Sequence, residues 1–157
     1  MARGVHFALS DTELDELLAA RGDEAVMEQI EEIEERWQKD WLCETDSAWQ
    51  AIHLALTSGR APRGLGRATL GGRHLYKGDD YVVALVQARD VPKVATGLAQ
   101  LDEGSFRKLY DGIDVEQYGR PLSGEDFSYT WGWFLTLRAF WKRAAEAGRA
   151  VVFTVDG

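Results

Sequence analysis

Cysteine is nearly absent from this chain of 157 residues, with Cys43 its single instance. No internal disulfide can form and no Cys-x-x-C pair offers zinc or redox chemistry, so a reducing compartment is expected. Beside Trp41 and Leu42, that thiol reads as a small buried group, not as a nucleophile. Long apolar runs are missing too. The longest stretch free of Asp, Glu, Lys and Arg is Ser47–Gly59, well short of the ~20 residues that cross a bilayer. Acidic residues arrive by Asp11 and Glu13, too early for the apolar region of a signal peptide. The expectation is a soluble cytoplasmic protein with no membrane partner.

An excess of positive charge is also lacking. Lys and Arg number 18 against 26 Asp and Glu, a net charge of −8, which opposes sequence-independent binding to nucleic acid. Several chemistries lose their signatures by inspection. There is no Gly-x-Ser-x-Gly elbow, no His-Glu-x-x-His pair, and no Gly-Lys-Ser or Gly-Lys-Thr phosphate loop. His6, His53 and His74 lie far apart, so no metal site is expected and no cofactor is implied.

What is present suits one compact domain over residues 1–157: 45% hydrophobic residues and 11% aromatics can fill a core. Period-two alternation of Val5, Phe7 and Leu9 predicts a strand. Ser10 and Glu13 stand three apart as a capping box opening a helix to about Arg21, stopped by Gly22. A second helix, Asp23 to about Lys39, sets Val26, Met27, Ile30, Ile33 and Trp37 on one face and Glu24, Glu28, Glu31 and Glu35 on the other. Glu32 with Arg36 and Glu35 with Lys39 are expected to offset part of that repulsion. The acidic face is either solvated surface or a dock for a basic protein partner.

Asp46 is expected to cap a third helix ending at Gly59, with Trp49, Ile52 and Leu56 as its apolar stripe and His53 at the stripe's edge. Tyr81–Gln87 reads as a buried strand, and Asp90 with Pro92 starts a helix to about Leu101. A short helix covers Ser105 to about Tyr110, residues 112–125 read as loop, and a long aromatic helix spans about Glu125–Ala147 before a strand at Ala150–Val155. The fold class is α+β, a small mixed sheet packed with several helices.

Residues 11–46 carry a net charge of −11, leaving +3 for the rest of the chain. The positive island is the Gly-rich stretch holding Arg60, Arg63, Arg67, Arg73, His74 and Lys77, a candidate anion-binding loop. A second candidate is a pocket of Glu44, Asp46, Trp49, His53, Arg138 and Trp141. Asp46, Trp49 and His53 share one side of a helix, and Arg138, between Phe134 and Trp141, needs a carboxylate that Asp46 or Glu44 could supply. Two readings follow: a non-enzymatic module binding a small ligand or a protein, or an enzyme or metabolite sensor using His53 and Asp46 on an anionic small molecule.

The stretch Thr45-Asp46-Ser47-Ala48-Trp49-Gln50-Ala51-Ile52-His53-Leu54-Ala55-Leu56-Thr57-Ser58-Gly59 resembles the YfbM-like family, a bacterial domain of unknown function. Leu70-Gly71-Gly72 and Leu137-Arg138-Ala139-Phe140-Trp141 with Ala144 and Ala145 support the likeness, and the order of elements agrees over nearly the whole chain. Glu44 departs from the family pattern, which has an aspartate two residues before Asp46. The resemblance implies a compact α+β domain and no established activity.

Overall fold

Alternating apolar residues define the sheet and place its faces. In the computed structural model, which describes residues 2–156, strands β1 (Arg3–Leu9), β2 (Leu42–Asp46), β3 (Arg73–Lys77), β4 (Tyr81–Val86) and β5 (Ala150–Asp156) form one sheet in the order β2-β1-β5-β4-β3. Every pairing is antiparallel, which corrects the expectation of a mixed sheet. The central β5 is buried from Ala150 to Val155, and apolar there except for Thr154, because both of its faces are covered.

One face buries Phe7, Leu9, Val83, Leu85 and Val152 beneath helices α1 (Asp11–Ala19) and α2 (Asp23–Arg36), which contribute Leu17, Val26, Ile30 and Ile33. The other face turns Ala8, Cys43, Val86 and Val151 toward a larger core. That core holds α3 (Trp49–Leu56), α4 (Val91–Ala99), α5 (Glu103–Asp111) and the aromatic α7 (Gly124–Glu146). A short helix, α6 (Val115–Tyr118), interrupts the expected loop before α7, capped by the Asp114 side chain. Tyr110 and Tyr118 hydroxyls donate to Asp126 at 2.7 and 2.8 Å and fasten that segment to the start of α7. Among the described residues no helix is long and apolar enough to cross a membrane.

Several boundaries move for identifiable reasons. α2 ends at Arg36 because Trp37 adopts φ 39°, in the left-handed region, so Lys39 leaves the helix and the expected Glu35–Lys39 pair is not formed. Glu24, Glu28, Glu31 and Glu35 face solvent and join no ion pair among the described residues. Asp46 ends β2 at φ 48° instead of capping α3, whose first turn receives no side-chain cap. Residues 60–77 are not one loop, since Leu65–Ala68 forms a 3-10 turn and Arg73–Lys77 is the edge strand β3.

The bend between those two pieces depends on absent side chains. A Cβ on Gly71 would stand 2.6 Å from the Gly66 carbonyl carbon, and one on Gly72 would meet the Leu85 oxygen at 2.7 Å. Neither backbone neighbour can yield cheaply. Gly71→Ala is expected to cost about 1–3 kcal/mol by overpacking. Gly59→Ala, with nothing within 4 Å, is expected to stay within about 0.5 kcal/mol of wild type. Urea unfolding of both variants decides the matter, and equal losses would refute the steric account.

Candidate functional site

The six residues expected to share a pocket do not gather in one. Trp141 is sealed in the core, 1% exposed. His53 is half-buried on α3, and its Nδ1 meets the Thr69 hydroxyl at 2.7 Å. Thr69 gives its own proton to the Gly66 carbonyl at 3.3 Å, so Nδ1 carries the imidazole proton. Burial alone lowers the His53 pKa, and no carboxylate bonds to the ring. Asp46 instead accepts from the Tyr129 hydroxyl at 2.7 Å and lies 4.0 Å from Arg3, lining with Glu44 and Trp133 a small surface cleft of about 150 Å³. Trp49 donates its indole N–H to the Ala2 carbonyl. Arg138 reaches neither carboxylate. Its Nη1 donates to the Leu101 carbonyl at 2.7 Å, just past α4, and its guanidinium hangs 5.8 Å from the Trp131 ring.

The basic island disperses as well. Arg60 is spent on the Lys108 carbonyl, and Arg67 on the Gly64 carbonyl with Asp90 3.9 Å away. Arg63 lines a cleft of about 410 Å³ with Thr57 and Gly64. Arg73 and His74 border another, of about 240 Å³, and the His74 Nε2 donates to the Leu70 carbonyl. Lys77 ends the edge strand β3.

The arrangement richest in converging charge went unrecognised in the sequence. Where α1 begins and α2 ends, a cleft of about 640 Å³ opens between Ser10, Thr12, Glu13, Arg36, Gln38, Lys39, Asp40, Trp41 and Arg149. Glu13, 9% exposed, is the charged group packed deepest there. Its Oε1 accepts the Ser10 backbone N–H at 2.9 Å and its Oε2 accepts Arg36 Nη1 at 2.7 Å. Burial works against the carboxylate's charge, but the bonds from Ser10 and Arg36 outweigh it and lower its pKa. The capping box therefore does two jobs, starting α1 and holding the guanidinium that closes α2.

Past Trp37 the chain runs through a 3-10 turn, Lys39–Trp41, whose Asp40 carbonyl accepts from Arg143 Nε at 2.8 Å. That bond ties the strap to α7. Arg149, between α7 and β5, lays its guanidinium carbon 3.7 Å from the centre of the Trp41 ring and donates to the Ala8 carbonyl at 3.4 Å. Neither Lys39 nor Arg149 pairs with a carboxylate among the described residues. Lys39 and Arg149 are thus left without an ion pair beside the Glu13–Arg36 pair, with Asp40 the other carboxylate of the cleft. The cleft contains no activated nucleophile: Ser10 Oγ accepts the Glu13 N–H, both Glu13 oxygens are bonded, and Cys43 lies elsewhere, its thiol pushed up to about 12 by burial. Among the described residues, no three or more of His, Cys, Asp and Glu gather to hold a metal ion.

No curated protein matches the sequence. The fold is similar to that of a solved structure, the protein of unknown function YfbM from Escherichia coli, at a TM-score of 0.69 and 19% identity, covering 98% of this chain and 99% of that one. Such a likeness establishes the α+β architecture and nothing about ligands. A family model described as a domain of unknown function, DUF1877, matches residues 1–154. The chain belongs to the DUF1877 family.

Proposed function

We propose that this protein is a non-enzymatic binding module for small anions, with the Glu13–Arg36–Lys39–Arg149 cleft as its site. One observation carries the reading. Three basic side chains, Arg36 and Lys39 around the end of α2 and Arg149 just before β5, converge on one cleft in a chain whose net charge is −8. Convergence against the overall charge is a local feature of the cleft. Arg36 is fixed by Glu13, so its fork is oriented before any ligand arrives. The reading treats the chain as a single domain and places it in a bacterial cytoplasm, in keeping with one free buried cysteine and a relative from Escherichia coli.

The His53 alternative is weaker because His53 has no carboxylate to orient it as an acid or base. The test is an NMR titration with phosphate, sulfate and acetate. Resonances of residues 10–13, 36–41 and 149 are expected to move, and Lys39→Glu, an exposed change, is expected to weaken binding at least about tenfold by reversing one charge. Shifts confined to residues 60–77 would transfer the site to the basic island. No shifts at all would end the reading.

A further inference from the structure

The cleft is larger than a simple anion needs, and its two halves differ in chemistry. One half is electrostatic. Arg36 spends Nη1 on Glu13, while its Nη2 lies 3.9 Å from Glu32, too far for a hydrogen bond, and exposed Lys39 stands beside it. The other half is flat. With the Arg149 guanidinium carbon 3.7 Å from the Trp41 ring centre, cation and indole are in face contact, and both line the cleft.

A guanidinium is planar and weakly hydrated on its faces, so one already seated on an indole readily takes a second ring on its open side. Arg149 is half-buried, and its one hydrogen bond, to the Ala8 carbonyl, lies at its edge, where a guanidinium's N–H groups point. Volume leaves room for more than a bare ion. About 640 Å³ falls within the range that holds ligands of drug size, whereas phosphate or acetate would fill only a corner. Charge sets the ligand's sign, since Arg36, Lys39 and Arg149 outnumber Glu13 and Asp40 by one.

The geometry points to a planar ring bearing a carboxylate or a phosphate as the ligand of this cleft, the ring stacked on Arg149 and the anion held by Arg36 and Lys39. This inference rests on the anion-cleft reading, and the probes separate the two. Benzoate and adenosine monophosphate are titrated beside acetate, inorganic phosphate, benzamide and adenosine, following the Trp41 indole N–H by NMR. At least one ring-bearing anion is expected to bind at least about tenfold tighter than its ringless counterpart, a difference of about 1.4 kcal/mol. Which of the two responds tells carboxylate from phosphate.

Arg149→Lys keeps the charge and removes the plane, so it is expected to erase that gap, the ring-bearing anions falling to the affinity of their ringless counterparts. The comparison among ligands needs no variant and stands even where Arg149→Lys fails to fold. Acetate and phosphate binding as tightly as benzoate and adenosine monophosphate would overturn the stacking half and leave the anion reading intact. Benzamide and adenosine binding as well as the anions would overturn the ring-plus-anion ligand and the anion reading together. So would silence from every probe at millimolar concentration.

Discussion

Lowering the pH from 6.5, where the unfolded imidazole is already half protonated, to 4.5 is expected to remove about 2 kcal/mol of folding stability through His6 alone. The ring is 0% exposed on β1, stacked on Phe153 at 4.2 Å, with Phe140 and Trp141 around it. Its Nε2 lies 2.6 Å from the Ala68 carbonyl, and a carbonyl can only accept, so Nε2 carries the proton and Nδ1 is a bare acceptor. Nδ1 has no partner, and neither does the indole N–H of Trp141. A second proton would place a cation in an apolar core with nothing to receive its N–H. Burial therefore drives the pKa from 6.5 down to about 3, against the smaller opposing pull of the Ala68 carbonyl.

The unfolded chain binds that proton near 6.5 and the folded chain does not. Stability is then complete above pH 6.5 and falls by about 1.4 kcal/mol per unit below it, until the folded group titrates near 3. Below about 4.5 a second loss joins, because Glu13 has a lowered pKa and its stabilising charge disappears as it protonates. The clean window is pH 5 to 6.5. His6→Phe keeps the ring stack and removes the titration, so its unfolding free energy in urea is expected to lose most of its slope in that window. His53, also lowered, accounts for a remainder. Parallel slopes in the two proteins would assign the acid sensitivity to another group.

His6 also illustrates what the sequence conceals. Val5, Phe7 and Leu9 mark β1 correctly and send His6 to the opposite face with Ala8. Alternation suggests a wet second face, yet β1 lies beside β5, where both faces are covered. The run Ala150–Val155, apolar except for Thr154, was the available signal, since its neighbours in a covered sheet must be dry too. The strands that escaped notice, β2 and β3, are the two edges. Edge strands carry charges such as Glu44, Asp46, Arg73 and Lys77 that discourage pairing with other chains, and those charges erase the hydrophobic period that reveals a strand.

Helices were more legible, because the capping box at Ser10 and the spacing of α2 and α7 are local patterns. The cleft was not local at all. Glu13, Arg36, Trp41 and Arg149 come from segments up to 136 positions apart, and only the fold makes Glu13 more than a helix cap. One dihedral took Asp46 away from the pocket expected around His53. With Asp46 in a left-handed conformation at the end of β2, its carboxylate turns to Tyr129 instead of continuing into α3.

The aromatic helix was readable as a core element, and its weight can be measured. Phe134→Ala is expected to cost about 3–5 kcal/mol, the range for emptying a buried phenyl site. Phe134 is 0% exposed and stacks on Phe106 at 4.3 Å with 13° between the planes, while Trp131 packs 5.6 Å away. These rings join α5 to α7 within the larger core, so the loss should appear as a lower denaturation midpoint with an unchanged denaturant slope. Trp131→Ala tests the reasoning, because Trp131 is only half-buried and part of its area already meets water; a smaller loss is expected there. If removing Phe134 costs less than about 1 kcal/mol, the cavity has collapsed and the stack contributes little. If the slope falls instead, the two faces of the sheet unfold separately, and the acid sensitivity of His6, which packs on the α7 face, should then follow that face's transition alone.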